Sequence, residues 1–563
     1  MCSEEAEQYV SKVLFVLVTL NMRVTAKIER GNLIIMKKML ALVVALIMLL
    51  SLVACTPPVS SSTTAAPTAG TTAPTTAAPT EVVSGPVFKD NEELTVLVGS
   101  HASYPYDENW KIWQYVKEAM GGKITIEPIM ESWDTKISLL MASRDQLPDV
   151  MHSANKTTVD RYALDGAFVS IMDNLDKLPN FKNWVDTNPE SKAYIRSRTS
   201  GDGNVYHFPT YGLHTVNNIR TWLYREDIFA KHNLSVPKDW NELYEVGKQL
   251  KALYPDSYPI CNRESMNKLS VFGAQWKPNM QNKFYYDFTN NKWSYGIMEP
   301  EFKELFTLYK KMFDEQLLPV NLITMVTNDW RTLVANDQGF IFNDYLIRID
   351  MFQSAARVDN PEFTLTAMEP PKGLTANASQ LMPKSNSEYT GYVVCNTGKK
   401  DRTANAFKYV DWFYSEQGKE IISWGKEGET FKVVDGKHEF ILGEAGSTAR
   451  TLYGVGTYGL YQLVDVESNE AQYTEESNES AHKVVNWLEA DFNPYEWLSL
   501  NEDEVLLKQQ YETNLDAYVN EQLADFFQGN RPMSEWDAFL TEIKGLGLDK
   551  MLEVYEGAYT RTK

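Results

Sequence analysis

Leu94, Thr95, Val96, Leu97 and Val98 form a short apolar, partly β-branched run. Asp107-Glu108-Asn109 then opens a helix in which Trp110, Trp113, Val116 and Met120 recur at helical spacing until Gly121-Gly122 ends it. Ile124-Thr125-Ile126 supplies a second strand. Ser132 can cap a helix carrying Ile137, Leu140 and Met141, and Leu147 to Met151 reads as a third strand. This βαβαβ rhythm predicts an α/β fold with a mainly parallel sheet. Farther on, Pro237 to Leu253 places Trp240, Leu243, Val246 and Leu250 on one helical face, and Ala404 to Tyr414 does the same with Phe407, Val410 and Phe413. Ser534 to Ile543 repeats the pattern with Trp536, Phe539, Leu540 and Ile543, Ser534 serving as the cap. Trp110, Trp113, Trp240 and Trp536 are therefore expected in the core. No internal repeat is found.

Ahead of this region Met36-Lys37-Lys38 precedes an apolar run from Met39 to Leu50 and then Ser51-Leu52-Val53-Ala54-Cys55. Charged, apolar and small-residue parts in that order form an export signal, and the apolar run is short for a membrane span. Leu52-Val53-Ala54-Cys55 resembles the lipobox of bacterial lipoproteins. That resemblance implies that residues 36–54 are a removed signal peptide and that Cys55 is diacylated; an uncleaved anchor helix from about Leu33 to Ala54 is the alternative. Residues 1–35 read as an extension from a start site placed too early, with Met36 preferred. Thr56 to Thr80 is almost entirely Thr, Ala, Pro and Ser, without charge or aromatics, and cannot bury a core. Residues 55–86 are thus expected to form the lipidated cysteine and a tether, and 87–563 the folded part.

The length of 563 residues exceeds one ordinary domain. With 54 Lys+Arg against 75 Asp+Glu, the net charge of −21 excludes nucleic acid or anionic headgroups as the main partner, since both need clustered positive charge. Aromatic residues make up 12% of the chain, leaving flat side chains for a ligand. Of four cysteines, Cys261 and Cys395 remain unassigned, and they can form one disulfide or two buried thiols. No zinc spacing, His-Glu-x-x-His, Gly-x-Ser-x-Gly or Walker loop occurs. Gly454-Val455-Gly456-Thr457-Tyr458-Gly459 matches a dinucleotide pattern but lacks the preceding strand and the downstream acid, so it reads as a flexible loop and no cofactor is expected.

Several segments, taken in order, resemble one family. Leu139-Leu140-Met141-Ala142-Ser143 runs into Asp145-Gln146-Leu147-Pro148-Asp149-Val150, and Gly203-Asn204-Val205-Tyr206-His207-Phe208-Pro209 follows. Tyr224-Arg225-Glu226-Asp227 precedes Asn233 to Leu243, with Pro237-Lys238-Asp239-Trp240-Asn241-Glu242-Leu243 at a helix start. Ser423-Trp424-Gly425-Lys426-Glu427-Gly428-Glu429, then Phe526 to Gly529 and Gly547 to Met551, complete the series. Behind a lipobox and a Thr/Pro tether, this order resembles the extracellular solute-binding lipoproteins of ABC importers, family 1, oligosaccharide-type branch. His207, Asp239 and Lys426 depart from that pattern. The resemblance implies a monomeric receptor on the outer face of the cell membrane. It would have two α/β lobes, a hinge, a ligand cleft between the lobes, and permease subunits as partners.

In open parallel sheets ligands lie beyond the carboxyl ends of the strands, here the loops Ser100 to Asn109, Pro128 to Trp133 and His152 to Asn155. Their rings and short polar groups suit a sugar, whose C–H faces stack on aromatics while its hydroxyls take hydrogen bonds. The ligand candidates are Tyr104, Trp133, Ser153 and Asn155 in these loops, and Tyr211 in a hinge segment near 210–218; a second hinge segment is expected near 368–373. Trp276 is added because, like Trp133, it lies in a polar, loop-like setting. Asn343-Asp344-Tyr345 would lie just past a strand through Gly339 to Phe342, or start a capped helix. Trp424 and Glu427 lie in the family-like loop. A surface-tethered polysaccharide hydrolase or adhesion protein is the rival reading, separable from a receptor by whether glycans are turned over.

Overall fold

Apolar side chains from distant parts of the sequence gather into separate cores, and this gathering defines two lobes. A computed structural model describes residues 86–562, apart from 101–104, 131–132, 153–155, 213–218, 383–390, 444–447, 461 and 489–497. Cys55, the tether, Tyr104, Ser153 and Asn155 lie outside the described residues. The strands are β1 (Phe88–Gly99), β2 (Gly121–Ile129), β3 (Val150–His152), β4 (Arg220–Arg225), β5 (Phe284–Asp287), β6 (Lys292–Tyr295), β7 (Ile341–Tyr345), β8 (Leu365–Met368), β9 (Tyr392–Val394), β10 (Phe431–Val434) and β11 (Lys437–Phe440).

The first lobe holds a sheet of order β2-β1-β3-β9, in which β1, β2 and β3 are parallel and β9 is an antiparallel edge. Both faces are covered, which suits its near-continuous apolar strands. Val96, Val98, Val150 and Val394 join one core with Trp113, while Leu97, Met151 and Val393 join the other. That alternation is the two-residue period of a strand. Helix Lys111–Met120 packs Trp113 and Val116 inward and ends at Gly121, whose φ of 67° lets the chain turn directly into β2.

The second lobe departs from the βαβ rhythm, because its central sheet, β7-β4-β8, is antiparallel throughout. Its core includes Trp222, Trp240, Trp276, Trp330 and Trp536 together with the C-terminal helices Glu502–Gln528 and Leu548–Thr562. Helix Trp240–Leu253 starts three residues inside the expected span of Pro237 to Leu253, where Asp239 accepts a hydrogen bond from the Glu242 N–H at 2.8 Å. Ser534 is no cap: it lies in a 3₁₀ turn, Met533–Glu535, ahead of helix Trp536–Gly545.

Among the described residues the chain passes between the cores three times: between Tyr211 and Ile219, between Met382 and Tyr392, and between Val464 and Ala481. The hinge segment expected at 368–373 is therefore corrected. Met368 belongs to β8, the Lys372 N–H donates to the Lys238 carbonyl at 2.8 Å, and the Gly373 N–H donates to the Gln275 carbonyl at 3.1 Å. The Pro-Gly interruption is a turn docked on its own lobe. Cys261 and Cys395 are buried free thiols in different lobes, so the disulfide alternative falls.

Candidate functional site

All three crossings meet the second lobe at one end of its sheet. The first enters at Arg220, which opens β4 and is in register with Tyr345 at the end of β7. The second leaves from Met382, whose sulfur lies 3.6 Å from Asn343 Nδ2. The third arrives at Thr474, whose N–H donates to Asp350 at 3.0 Å. On the first lobe the same crossings are laced together: Phe208 N–H bonds the Tyr392 carbonyl, and Tyr211 exchanges backbone hydrogen bonds with Gln462 and Val464. Tyr392 opens β9 opposite His152, the last residue of β3. The carboxyl ends of the parallel strands thus face the Arg220–Tyr345 end of the other sheet. Burial raises the Tyr458 phenol, Arg450 lowers it, and Tyr345 of the opposite lobe adds to the rise.

The second lobe presents a knot of charge here. Arg220 is bidentate on Glu264 (2.5 and 3.1 Å), donates to the Tyr345 hydroxyl at 2.7 Å, and lies over the Tyr345 ring at 4.3 Å. Arg263 bonds Asp344 (2.5 and 3.1 Å) and Glu264 (2.7 Å), and Arg348 Nε bonds Asp344 at 2.8 Å. Burial alone would raise the Asp344 carboxyl; Lys268, Arg348 and Arg263 outweigh it and hold the group well below the usual carboxylate range. Burial pushes the Lys268 ammonium down to about 8, against the pull of Asp344. Glu264 has φ of 70°, an uncommon conformation for a non-glycine residue that aims its carboxylate back at both arginines.

The first lobe supplies rings and a glycine-shaped loop. Tyr106, in the loop after β1, is half-buried against Trp110 and Trp113, and its phenol is pushed up to about 12 by burial, then by Glu108 and Asp107. Gly459 has φ of 84°, and a Cβ there would lie 2.9 Å from Val98 Cγ1; its N–H donates to His152 Nδ1 at 3.1 Å. The glycine pattern that mimics a dinucleotide loop thus anchors the Tyr458 segment on the carboxyl ends of β1 and β3.

The sequence candidates separate on this frame. Trp133 begins helix Trp133–Ala142 after β2, is partly exposed, and has a buried indole N–H with no hydrogen-bond partner among the described residues. Tyr345 is partly exposed in the knot, and Tyr211 lies on the first crossing, edge-on to Tyr194 and Trp184. Trp276 is not in a loop: it ends helix Lys268–Trp276, is 1% exposed, and its ring centroid lies 6.0 Å from that of Trp240. Asn343 and Asp344 do not follow the strand but lie inside β7, fully buried. The Asn262 side chain accepts the Asn343 N–H and the cations pair Asp344, so the polar pair stays extended. Trp424 is buried against Phe431 and Phe440 and donates to Asp465 at 3.1 Å, whereas Glu427 is exposed in the turn before β10. Arg220, Glu264, Arg263 and Arg348 escaped the sequence reading because no motif joins them; the one available signal was the placement of Arg348 three residues after Tyr345.

Residues 99–420 match the family of bacterial extracellular solute-binding proteins, and the chain belongs to that family. Solved structures share the fold. An alginate-binding protein, AlgQ2, is 21% identical with a TM-score of 0.71, the match covering 85% of this chain and 99% of that one. An ABC-transporter substrate-binding protein of Streptococcus pneumoniae, FusA, in complex with kestose, is 17% identical with a TM-score of 0.67, covering 84% and 99%. An HMO-binding, ABC-transporter-associated solute-binding protein from Bifidobacterium longum infantis is 16% identical with a TM-score of 0.67, again covering 84% and 99%. Comparison with curated protein sequences gave no match.

If the Trp133 ring and its unpartnered N–H meet a ligand, Trp133→Ala will weaken glycan binding by about 1–3 kcal/mol, as when a large anchor in a desolvated pocket is truncated. The melting temperature of the free protein will change little. Calorimetric titration beside thermal melts distinguishes this from a packing role, in which stability falls and affinity does not.

Proposed function

We propose that the protein is a receptor that captures a carbohydrate, an oligosaccharide, between its lobes and delivers it unchanged to the permease subunits of an ABC importer. The observation that carries this reading is the convergence of all three crossings on facing sheet ends lined by Tyr106, Trp133, Tyr345 and charged donors. Rings can stack on sugar C–H faces while guanidiniums, carboxylates and hydroxyls take its hydroxyl groups. The relatives described as alginate-binding, kestose-bound and HMO-binding support the same ligand class. Closure would add second-lobe contacts to a ligand already held by the first, so the ligand shifts the population by its differential affinity. The test is a thermal-shift screen of the purified protein against oligosaccharides and peptides. A specific glycan raises the melting temperature and is recovered chemically intact; a peptide-only response, or cleaved glycan, defeats the reading.

The same reading makes the protein a monomer held on the outer face of the cell membrane through lipid on Cys55. Among the described residues no helix is long and apolar enough to cross a membrane. Each acyl chain contributes about 0.8 kcal/mol per buried methylene, and two chains give durable attachment. Cys55→Ser is expected to release the protein into the medium. Fractionation that finds the variant still in the membrane would point instead to an uncleaved apolar leader.

A further inference from the structure

We infer that the solute is an acidic oligosaccharide, one carrying uronate carboxylates, and that Arg348 with Arg220 and Tyr345 receives one of those carboxylates. This rests on the reading of the cleft as a carbohydrate site. In a chain of net charge −21, the sheet end facing the first lobe pairs four cations, Arg220, Arg263, Arg348 and Lys268, with two carboxylates, Glu264 and Asp344, while a third, Asp350, is taken by Thr474 and Ser477. The two carboxylates are consumed within the knot, Asp344 by Arg263 and Arg348 and Glu264 by Arg220 and Arg263. The cationic excess is left at the boundary with solvent, since the side chains of Arg220 and Arg348 retain 25% and 15% exposure.

Arg348 carries most of that excess. Among the described residues, the only oxygens it bonds belong to Asp344, through Nε; Nη1 reaches only the Met351 sulfur at 3.3 Å. Its guanidinium is held at 5.6 Å from the Trp330 ring, so the fork is oriented before any ligand arrives. A planar guanidinium whose two terminal nitrogens have no oxygen partner among the described residues matches a carboxylate in a way that a neutral hydroxyl does not. Arg220 stacks under the Tyr345 ring, adding a flat surface and a second positive charge to the same knot. Asp107 and Glu108, beside Tyr106 on the first lobe, are solvent-exposed and screened, and oppose the excess only weakly.

The test is calorimetric titration with tetrasaccharides of galacturonate, mannuronate and glucuronate, each beside its methyl ester, and with neutral glucose, fructose and mannose oligosaccharides. At least one acid should bind about ten- to hundredfold more tightly than its ester, the value of a hydrogen-bonded charge. That preference should shrink as salt is raised. Arg348→Gln should abolish the preference of acid over ester, with the thermal melt showing that the fold persists; Arg348→Lys, which keeps the charge and loses the fork, should retain part of it. An ester that binds as tightly as its acid, or binding of neutral oligosaccharides alone, overturns the acidic-ligand proposal and leaves the carbohydrate reading standing. Failure of every probe, acidic and neutral, removes both.

Discussion

Trp276→Ala is expected to cost about 3–5 kcal/mol of folding stability while leaving glycan affinity intact, and Trp240→Ala to cost as much. Trp240 is fully buried among Trp222, Phe272, Trp276 and Tyr309, with ring centroids 5.2–6.4 Å away, and its indole N–H donates to Gln275 Oε1 at 3.0 Å. Trp276 shares that cluster, and the turn at Gly373 packs directly on it: a Cβ on Gly373 would lie 2.9 Å from Trp276 Cγ. Removing either ring opens a cavity that the sheet and helices cannot close. Because the two rings touch, the double variant should lose less than the sum of the singles. Denaturant unfolding and calorimetric titration on the same samples check this. A Trp276→Ala protein of undiminished stability and lost affinity would return that residue to the binding face.

Stability is expected to fall steeply as pH drops below about 6.5, driven by two buried histidines. Burial pushes the His152 imidazole down to about 3, and His207 is lowered first by burial and then by the nearby positive charges of Arg198 and Lys156. In the unfolded chain a histidine takes up its proton near pH 6.5, whereas the folded protein must keep these two neutral. Below that pH the unfolded state binds more protons, and each imidazole removes about 1.4 kcal/mol of stability per pH unit. Asp160 and Asp411, whose carboxyls are raised by burial, act in the opposite sense, so the histidine contribution is read as a difference. Urea unfolding between pH 7 and 5 should give a shallower slope for His152→Gln and for His207→Gln than for the parent. Identical slopes would show that both imidazoles are protonated in the fold.

How far the sequence carries the site depends on how local each signal is. Trp240 was legible as core because Leu243, Val246 and Leu250 share its face at helical spacing, and its burial needs only that helix to dock. The loop after β2 was legible because strand, loop and helix follow one another, and Trp133 falls at that junction. Trp276 was misread because its helix, Lys-Leu-Ser-Val-Phe-Gly-Ala-Gln-Trp, is short, mixed in polarity, and buries Lys268 and Gln275 as well as its apolar residues. Its burial is imposed by neighbours from Trp240, Gly373 and Thr375, none of them near it in sequence.

By itself the sequence determined what nearest neighbours along the chain decide. It placed the three parallel strands of the first lobe, the amphipathic helices, the export-signal pattern and tether composition, and the ordered segments that resemble the solute-binding family. Tertiary structure alone decided the antiparallel sheet of the second lobe, the second and third crossings, the burial of Asn343 and Asp344 inside β7, and the knot of Arg220, Arg263, Glu264 and Arg348. The bonds that join Arg220 to Glu264 and Tyr345, and Arg263 to Asp344, span 44 to 125 positions. Hydrophobic period reports which face of an element is buried; it carries no information about which distant charge will neutralise a buried carboxylate.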